Sequence, residues 1–211
     1  MTSLYLVRHG ETDWNAQRRI QGSTDIPLNA MGWSQAETTG RLLARRQWDG
    51  IFSSPLSRAF DTASVIARET GMATPDVVAG IVERNYGEAE GLNWHEIEAQ
   101  FPENTAVPGR ETHEEVAARA IPALIALASS YPAMALIVVS HGGVIRSVLN
   151  AVAPSHSHGT ITNGSVHSFE YVDGSLELIE FNDPIEELSL AYGTEDLDQQ
   201  NAIESRDALR A

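Results

Sequence analysis

A chain of 211 residues and 22.9 kDa, 42% hydrophobic, is long enough for one globular domain with a real core, and no apolar run approaches a membrane span. It has no cysteine, and its 14 basic residues are all arginine, which excludes disulfides, thiolate nucleophiles, cysteine-bound metals, phosphate-loop lysines and Schiff-base chemistry. A net charge of -15 argues against nucleic acid and anionic membrane as partners, and with no signal region at its start the protein is expected to be cytoplasmic.

The first apolar run, residues 4–7, predicts a strand that stops abruptly at Arg8-His9-Gly10. A helix is expected from Asn29 as N-cap to about Arg46, then a strand over residues 50–52. The next helix is predicted to take Ser54 as N-cap and Pro55 as its first residue, to carry Arg58 in its first turn, and to close at Gly71. Thr112 and Glu115 form a capping box for a helix reaching about Ser130, with Pro122 expected to kink it. Residues 136–139 read as a strand, followed after Gly142-Gly143 by a helix through Ile145, Val148 and Leu149. The last pair of strands, 166–172 and 176–181, is split by Asp173-Gly174 and reads as an antiparallel hairpin at one side of the sheet. Strands alternating with helices define an α/β fold with a mainly parallel sheet. Residues 1–182 are expected to form one domain, and 183–211, with eight acids and few large apolar residues, an acidic tail.

In a parallel sheet, ligands bind beyond the carboxyl ends of the strands. Three such ends carry unusual chemistry: Arg8-His9-Gly10, Ser53-Ser54-Pro55 leading to Arg58, and Ser140-His141-Gly142-Gly143. If these ends are neighbours, two guanidiniums and two imidazoles converge beside helix N-termini, which is a description of a phosphate site. Taken singly, each has a bland reading as a surface pair, a tight turn or an exposed helix residue. His9 is the best nucleophile left, because Ser53, Ser54 and Ser140 lie in no recognisable triad arrangement. The alkoxide it displaces needs a proton, for which Glu83 is the first candidate and Glu88 the second.

These residues match a wider pattern: Leu6-Val7-Arg8-His9-Gly10-Glu11-Thr12 with Asn15, Gln21-Gly22, Ser53-Ser54-Pro55-Leu56-Ser57-Arg58-Ala59, Glu83, Glu90-Gly91, Pro108-Gly109 with Glu111, and Ser140-His141-Gly142-Gly143. The chain resembles the histidine phosphatase superfamily, phosphoglycerate mutase-like branch, over about residues 4–146. The resemblance implies a three-layer sandwich with helices on both sheet faces. It also implies transient phosphorylation of His9, phosphoryl binding by Arg8, Arg58 and His141, and proton donation by Glu83, which then activates water. By the same resemblance Asn15, Gln21, Gly22, Arg84, Tyr86 and Gly142 contact the substrate, a small phosphorylated metabolite, with no metal and no cofactor. Glu83-Arg84 with Tyr86-Gly87, and Gly91-Leu92-Asn93, are similar to mutases that use 2,3-bisphosphoglycerate, with Arg84 on a substrate carboxylate. Those mutases follow with a lysine and paired arginines, whereas here Trp94 stands at the lysine position and Arg110 is alone between Arg84 and Arg119. Fewer cations hold a bisphosphorylated intermediate less well, so hydrolysis is favoured over transfer; a ligand sensor without turnover is the remote third reading.

Lesser signals remain. His156 and His158, with His167, could ligate a metal but read better as a solvated loop. Among Trp14, Trp33, Trp48 and Trp94 the last is the best candidate for a site wall, and Arg18-Arg19 reads as a surface pair. A homodimer is an open expectation.

Overall fold

A computed structural model describes residues 1–103, 105–154 and 159–185. His156 and His158, read above as a solvated loop, and nearly all of the expected acidic tail lie outside the described residues.

The chain forms strand β1 (Thr2–Arg8), helices α1 (Asp13–Ala16) and α2 (Ala30–Leu43), β2 (Gly50–Ser53), α3 (Ser57–Thr70) and the short β3 (Asp76–Val77). Helices α4 (Trp94–Gln100) and α5 (His113–Ser130) follow, then β4 (Ala135–Ser140), α6 (Gly142–Val152), β5 (Val166–Val172) and β6 (Ser175–Glu180). The sheet order is β3-β2-β4-β1-β5-β6. The first four strands run parallel, and the hairpin β5–β6 adds antiparallel to β1, as its Asp173-Gly174 turn predicts.

Strand alternation sorts the core into two layers. Leu4, Leu6, Phe52, Leu136 and Val138 pack with Val116, Leu124, Val144, Val148 and Leu149 of α5 and α6 on one face. Val7, Ile51, Ile137 and Val139 pack with Leu43 of α2 and Ala59, Ala63 and Ile66 of α3 on the other. Central strands covered on both sides read as continuous apolar runs, which is how β1 and β4 appear in the sequence. Among the described residues no helix is long and apolar enough to cross a membrane.

Register brings the strand ends level, with Arg8 opposite Ser140 and Ser53 opposite Val139. Because β5 runs the other way, with Val166 opposite Val7, the loop entering β5 arrives at that same end. Two helix boundaries differ from expectation. Helix α2 stops at Leu43 and not near Arg46. Helix α3 begins at Ser57, capped by no side chain of its own, because Ser54 continues the extended path of β2 and donates its N–H to Val139 O at 2.9 Å. The missing cap comes from elsewhere: Asp25 Oδ1 accepts from Ser57 N at 2.9 Å and Ser57 Oγ at 2.8 Å.

Candidate active site

Arg8 and His9 leave the end of β1 and are held by backbone from both neighbours. His9 N donates to Ser140 O at 3.0 Å, Arg8 N to Ser165 O at 3.1 Å, and Gly164 N to Arg8 O at 3.0 Å. Arg8 Nη1 donates to Ile161 O at 2.7 Å, and Asn163 Nδ2 to His9 O at 2.9 Å. The loop before β5 therefore carries four of the groups that fix this segment, and sequence reasoning assigned it none. Gly10 follows because its α-carbon lies against the backbone of Gly32, where a Cβ has no room.

His9 Nδ1 is 2.6 Å from Gly10 O, so Nδ1 carries the proton and Nε2 keeps its lone pair. That Nε2 accepts from Arg58 Nε at 3.2 Å. Burial pushes the His9 pKa well below the ordinary imidazole value, and the Arg58 and Arg8 charges push it the same way. The ring is thus neutral, with its unprotonated nitrogen beside a guanidinium.

Arg58, in the first turn of α3 as predicted, is completely buried. Its Nη1 donates to Thr24 O at 2.9 Å and its Nη2 to Gly22 O at 2.7 Å. Burial lowers its pKa to about 10, opposed by Glu83 and Asp25, so it stays cationic at neutral pH. The strap that supplies those carbonyls turns at Gly22, whose φ of +56° suits glycine. Glu90 holds it down, accepting from Ser23 N at 2.8 Å, Ser23 Oγ at 3.0 Å, Thr24 N at 3.0 Å and Thr24 Oγ1 at 2.5 Å.

His141 follows β4 and precedes α6, and its ring centroid is 5.2 Å from that of His9 with 61° between the planes. Its Nε2 is 2.7 Å from Ser54 Oγ, and its Nδ1 is buried with no hydrogen-bond partner. Burial, then the charges of Arg58 and Arg8, hold it neutral as well. The N-terminus of α6 is capped by Glu83: its carboxylate accepts from Gly143 N at 3.3 Å and Val144 N at 3.2 Å, and from Arg84 N at 2.7 Å. Burial raises the Glu83 pKa and outweighs Arg58 and the backbone N–H groups that pull it down. Glu88, the other candidate acid, is exposed. Gly142 touches Arg8: a Cβ there would lie 3.4 Å from Arg8 Nε.

The remaining predicted residues occupy a second ring around this centre. Asn15 Oδ1 accepts from Thr12 N at 3.1 Å, and Gln21 Oε1 from Thr12 Oγ1 at 2.8 Å. Arg84 is buried, with Nε on Glu111 O at 2.7 Å, Nη1 3.0 Å from His113 Nε2, and its guanidinium 5.1 Å from the centre of the buried Tyr86 ring. His113 Nδ1 is 2.8 Å from Ser147 Oγ, which itself donates to Gly143 O at 2.7 Å. Burial first, then Arg84 and Arg110, lowers the His113 pKa to about 4. Arg119 braces the acid's segment through Val82 O at 2.7 Å, Gly80 O at 3.0 Å and Glu83 O at 3.1 Å, and pairs with Glu111 at 2.9 Å through two bonds. His113, Arg119 and Asn163 carried no local signal; Glu90 and Glu111 stood only within the family-like pattern.

Trp94 packs against the cluster of Ile20, Tyr86 and Ile97, whereas Trp33 is 42% exposed. Trp48 Nε1 donates to Leu43 O, and Trp14 covers Gly91. Arg19 is no simple surface residue: it donates to Gly91 O at 2.6 Å and pairs with Glu96 at 3.0 Å. His167 is 3.0 Å from Ser165 Oγ and accepts from Asn182 N at 3.1 Å. Among the described residues no group of three or more His, Cys, Asp or Glu is placed to hold a metal ion.

A mixed α/β sheet whose strand ends gather two guanidiniums, two neutral imidazoles and a buried carboxyl defines a protein built to handle phosphoryl groups. The chain belongs to the histidine phosphatase superfamily (branch 1), whose profile matches residues 4–184, and it carries that family's type of catalytic machinery. It is 36% identical over 185 residues to an uncharacterized phosphatase, PhoE, of Bacillus subtilis strain 168, covering 86% of this chain and 95% of that one. It is 35% identical to a metal-independent phosphoserine phosphatase of Arabidopsis thaliana, covering 79% of this chain and 75% of that one. Among solved structures, a mycobacterial glucosyl-3-phosphoglycerate phosphatase in complex with VO3 superposes with a TM-score of 0.78 at 30% identity, covering 85% of this chain and 98% of that one.

Proposed function

We propose that the protein is a metal-independent phosphomonoesterase that hydrolyses small phosphorylated metabolites through a phosphohistidine at His9. The observation that carries this reading is the proton arrangement at His9: Nδ1 is committed to Gly10 O, and Nε2 is unprotonated beside Arg58. In the first step Nε2 attacks phosphorus, Arg58 turns its Nε–H from that lone pair to a phosphoryl oxygen, and Arg8 and His141 take the others. The P–O ester bond breaks as the Glu83 carboxyl gives its proton to the departing oxygen. In the second step the Glu83 carboxylate takes a proton from water, whose oxygen displaces His9 and frees inorganic phosphate.

Relatives include both outcomes of such an intermediate, since a 2,3-bisphosphoglycerate-dependent phosphoglycerate mutase of Rhizobium etli is 32% identical over 170 residues. Hydrolysis is supported by Trp94, which is packed on apolar neighbours where a lysine would bind a second phosphate, and by Arg84, whose guanidinium is engaged by Glu111 O and His113. The test is phosphate release from a panel of phosphomonoesters in EDTA, set against interconversion of 2- and 3-phosphoglycerate with 2,3-bisphosphoglycerate. Release that exceeds transfer and vanishes in His9→Ala supports the proposal. A metal requirement, or transfer exceeding release, refutes it.

A further inference from the structure

The hydroxyl of Ser54 is the feature that the chemistry above leaves unused. The sequence offers it as a helix N-cap, but α3 begins three residues later, and Leu56 N reaches Ser54 Oγ only at 3.4 Å. The short contact of that oxygen is to His141 Nε2, at 2.7 Å, and both residues are completely buried. Which atom carries the proton decides what His141 can do.

Ser54 Oγ has one proton to give and already receives the Leu56 N–H. His141 Nε2 is the acceptor within its reach, so donation from Ser54 satisfies the hydroxyl. The reverse arrangement, Nε2–H to Oγ, strands the hydroxyl proton in a buried site and turns His141 Nδ1 into a bare lone pair. With the proton on Nδ1, that nitrogen is a buried donor without a partner, an arrangement that an incoming acceptor completes. The unprotonated oxygens of a phosphoryl group are acceptors only, so one tautomer greets them and the other repels them.

We propose that Ser54 is a positioning residue that locks His141 in the Nδ1–H tautomer, making this ring a neutral hydrogen-bond donor to a phosphoryl oxygen. His9 carries the same tautomer through a different lock, Gly10 O, and the two locks assign opposite tasks. At His9 the free Nε2 attacks; at His141 Nε2 is spent on Ser54 and Nδ1–H binds. The identity of the bound group rests on the function proposed above, whereas the tautomer is a property of the resting protein.

The experiment is ¹⁵N NMR of histidine-labelled full-length protein at neutral pH, with inorganic phosphate as the binding probe. Wild type is expected to show His141 protonated at Nδ1 and bare at Nε2. Ser54→Ala is expected to move that ring to a mixture of tautomers and to weaken phosphate binding about tenfold, the loss of one hydrogen bond in a buried site. Ser54→Thr, which keeps the hydroxyl, restores both. A bare Nδ1 in the wild type overturns the proposal without any variant, and so does Ser54→Ala with unchanged ring shifts or unchanged phosphate affinity. Failure of the hydrolysis assay would fault the proposed reaction and leave the wild-type tautomer to be read by itself.

Discussion

Replacing Glu83 by glutamine separates a proton donor from a structural cap. Oε1 accepts from Arg84 N at 2.7 Å and Val144 N at 3.2 Å, and Oε2 from Gly143 N at 3.3 Å. A glutamine that keeps its carbonyl oxygen on the first two places its NH₂ against the third, a donor facing a donor. The structural loss is one hydrogen bond, about 1–2 kcal/mol, or roughly 2–8 °C in Tm for a domain of this size. The chemical loss is of another order: removing a general acid costs ~10²–10⁴ in rate when the departing alkoxide needs its proton. Aryl esters release a stable anion and need no such help. The measurement is kcat/KM for alkyl phosphates and for p-nitrophenyl phosphate, since that ratio ends at the first irreversible step and is blind to the later attack of water. Alkyl esters should fall by the full factor and the aryl ester by less than about tenfold, with phosphohistidine formed from the aryl ester accumulating in alkali-quenched samples. Equal losses in the two classes would refute the assignment and leave Glu83 as a cap for α6.

Two further outcomes are expected. Arg119→Lys replaces a planar fork that serves Gly80 O, Val82 O, Glu83 O and both Glu111 oxygens by one ammonium, and should destabilise the fold by about 2–3 kcal/mol in denaturant melts while slowing alkyl esters more than aryl ones; an unchanged midpoint would count against the bracing role. Lowering the pH from 7 toward 4 should destabilise the protein, because His9, His113 and His141 take up protons in the unfolded chain near 6.5 but in the folded one only at lower pH, about 4 for His113. The unfolded state then binds more protons and stability falls; Glu83, raised from 4.5, opposes this above its ordinary value, so a stability that climbs steadily as pH drops would contradict the histidine assignments.

Where one local signal governed an element, the sequence was sufficient to place it. The Thr112–Glu115 capping box starts α5 at His113, and Gly71, with φ +73°, ends α3. The alternation inside the apolar runs of β1 and β4 was faint, because both faces are covered and only Tyr5 departs from aliphatic side chains within them. The short α1 and α4 escaped although each has a complete capping box, Thr12 with Asn15 and Asn93 with Glu96. At four and seven residues they offer too few turns for periodicity to show.

The same division holds within the site, and Ser54 shows its cause. A hydroxyl just before a proline is a strong N-cap by local rules, but those rules assume that the hydroxyl has nothing better to bond. Here an imidazole 87 residues away competes for it and wins, while the helix start is satisfied from Asp25, 32 residues in the other direction. The guanidinium and imidazole groups proposed to meet phosphate announce themselves by type, since few other side chains suit that charge. The groups that orient them do not, because any carbonyl or hydroxyl can serve. Ile161 O, Gly22 O, Thr24 O and Gly10 O are backbone atoms whose usefulness comes from the sheet order. The antiparallel placement of β5 is the clearest instance: it carries residues 161–165 to the end of β1, so a loop with no catalytic signature sets the position of His9.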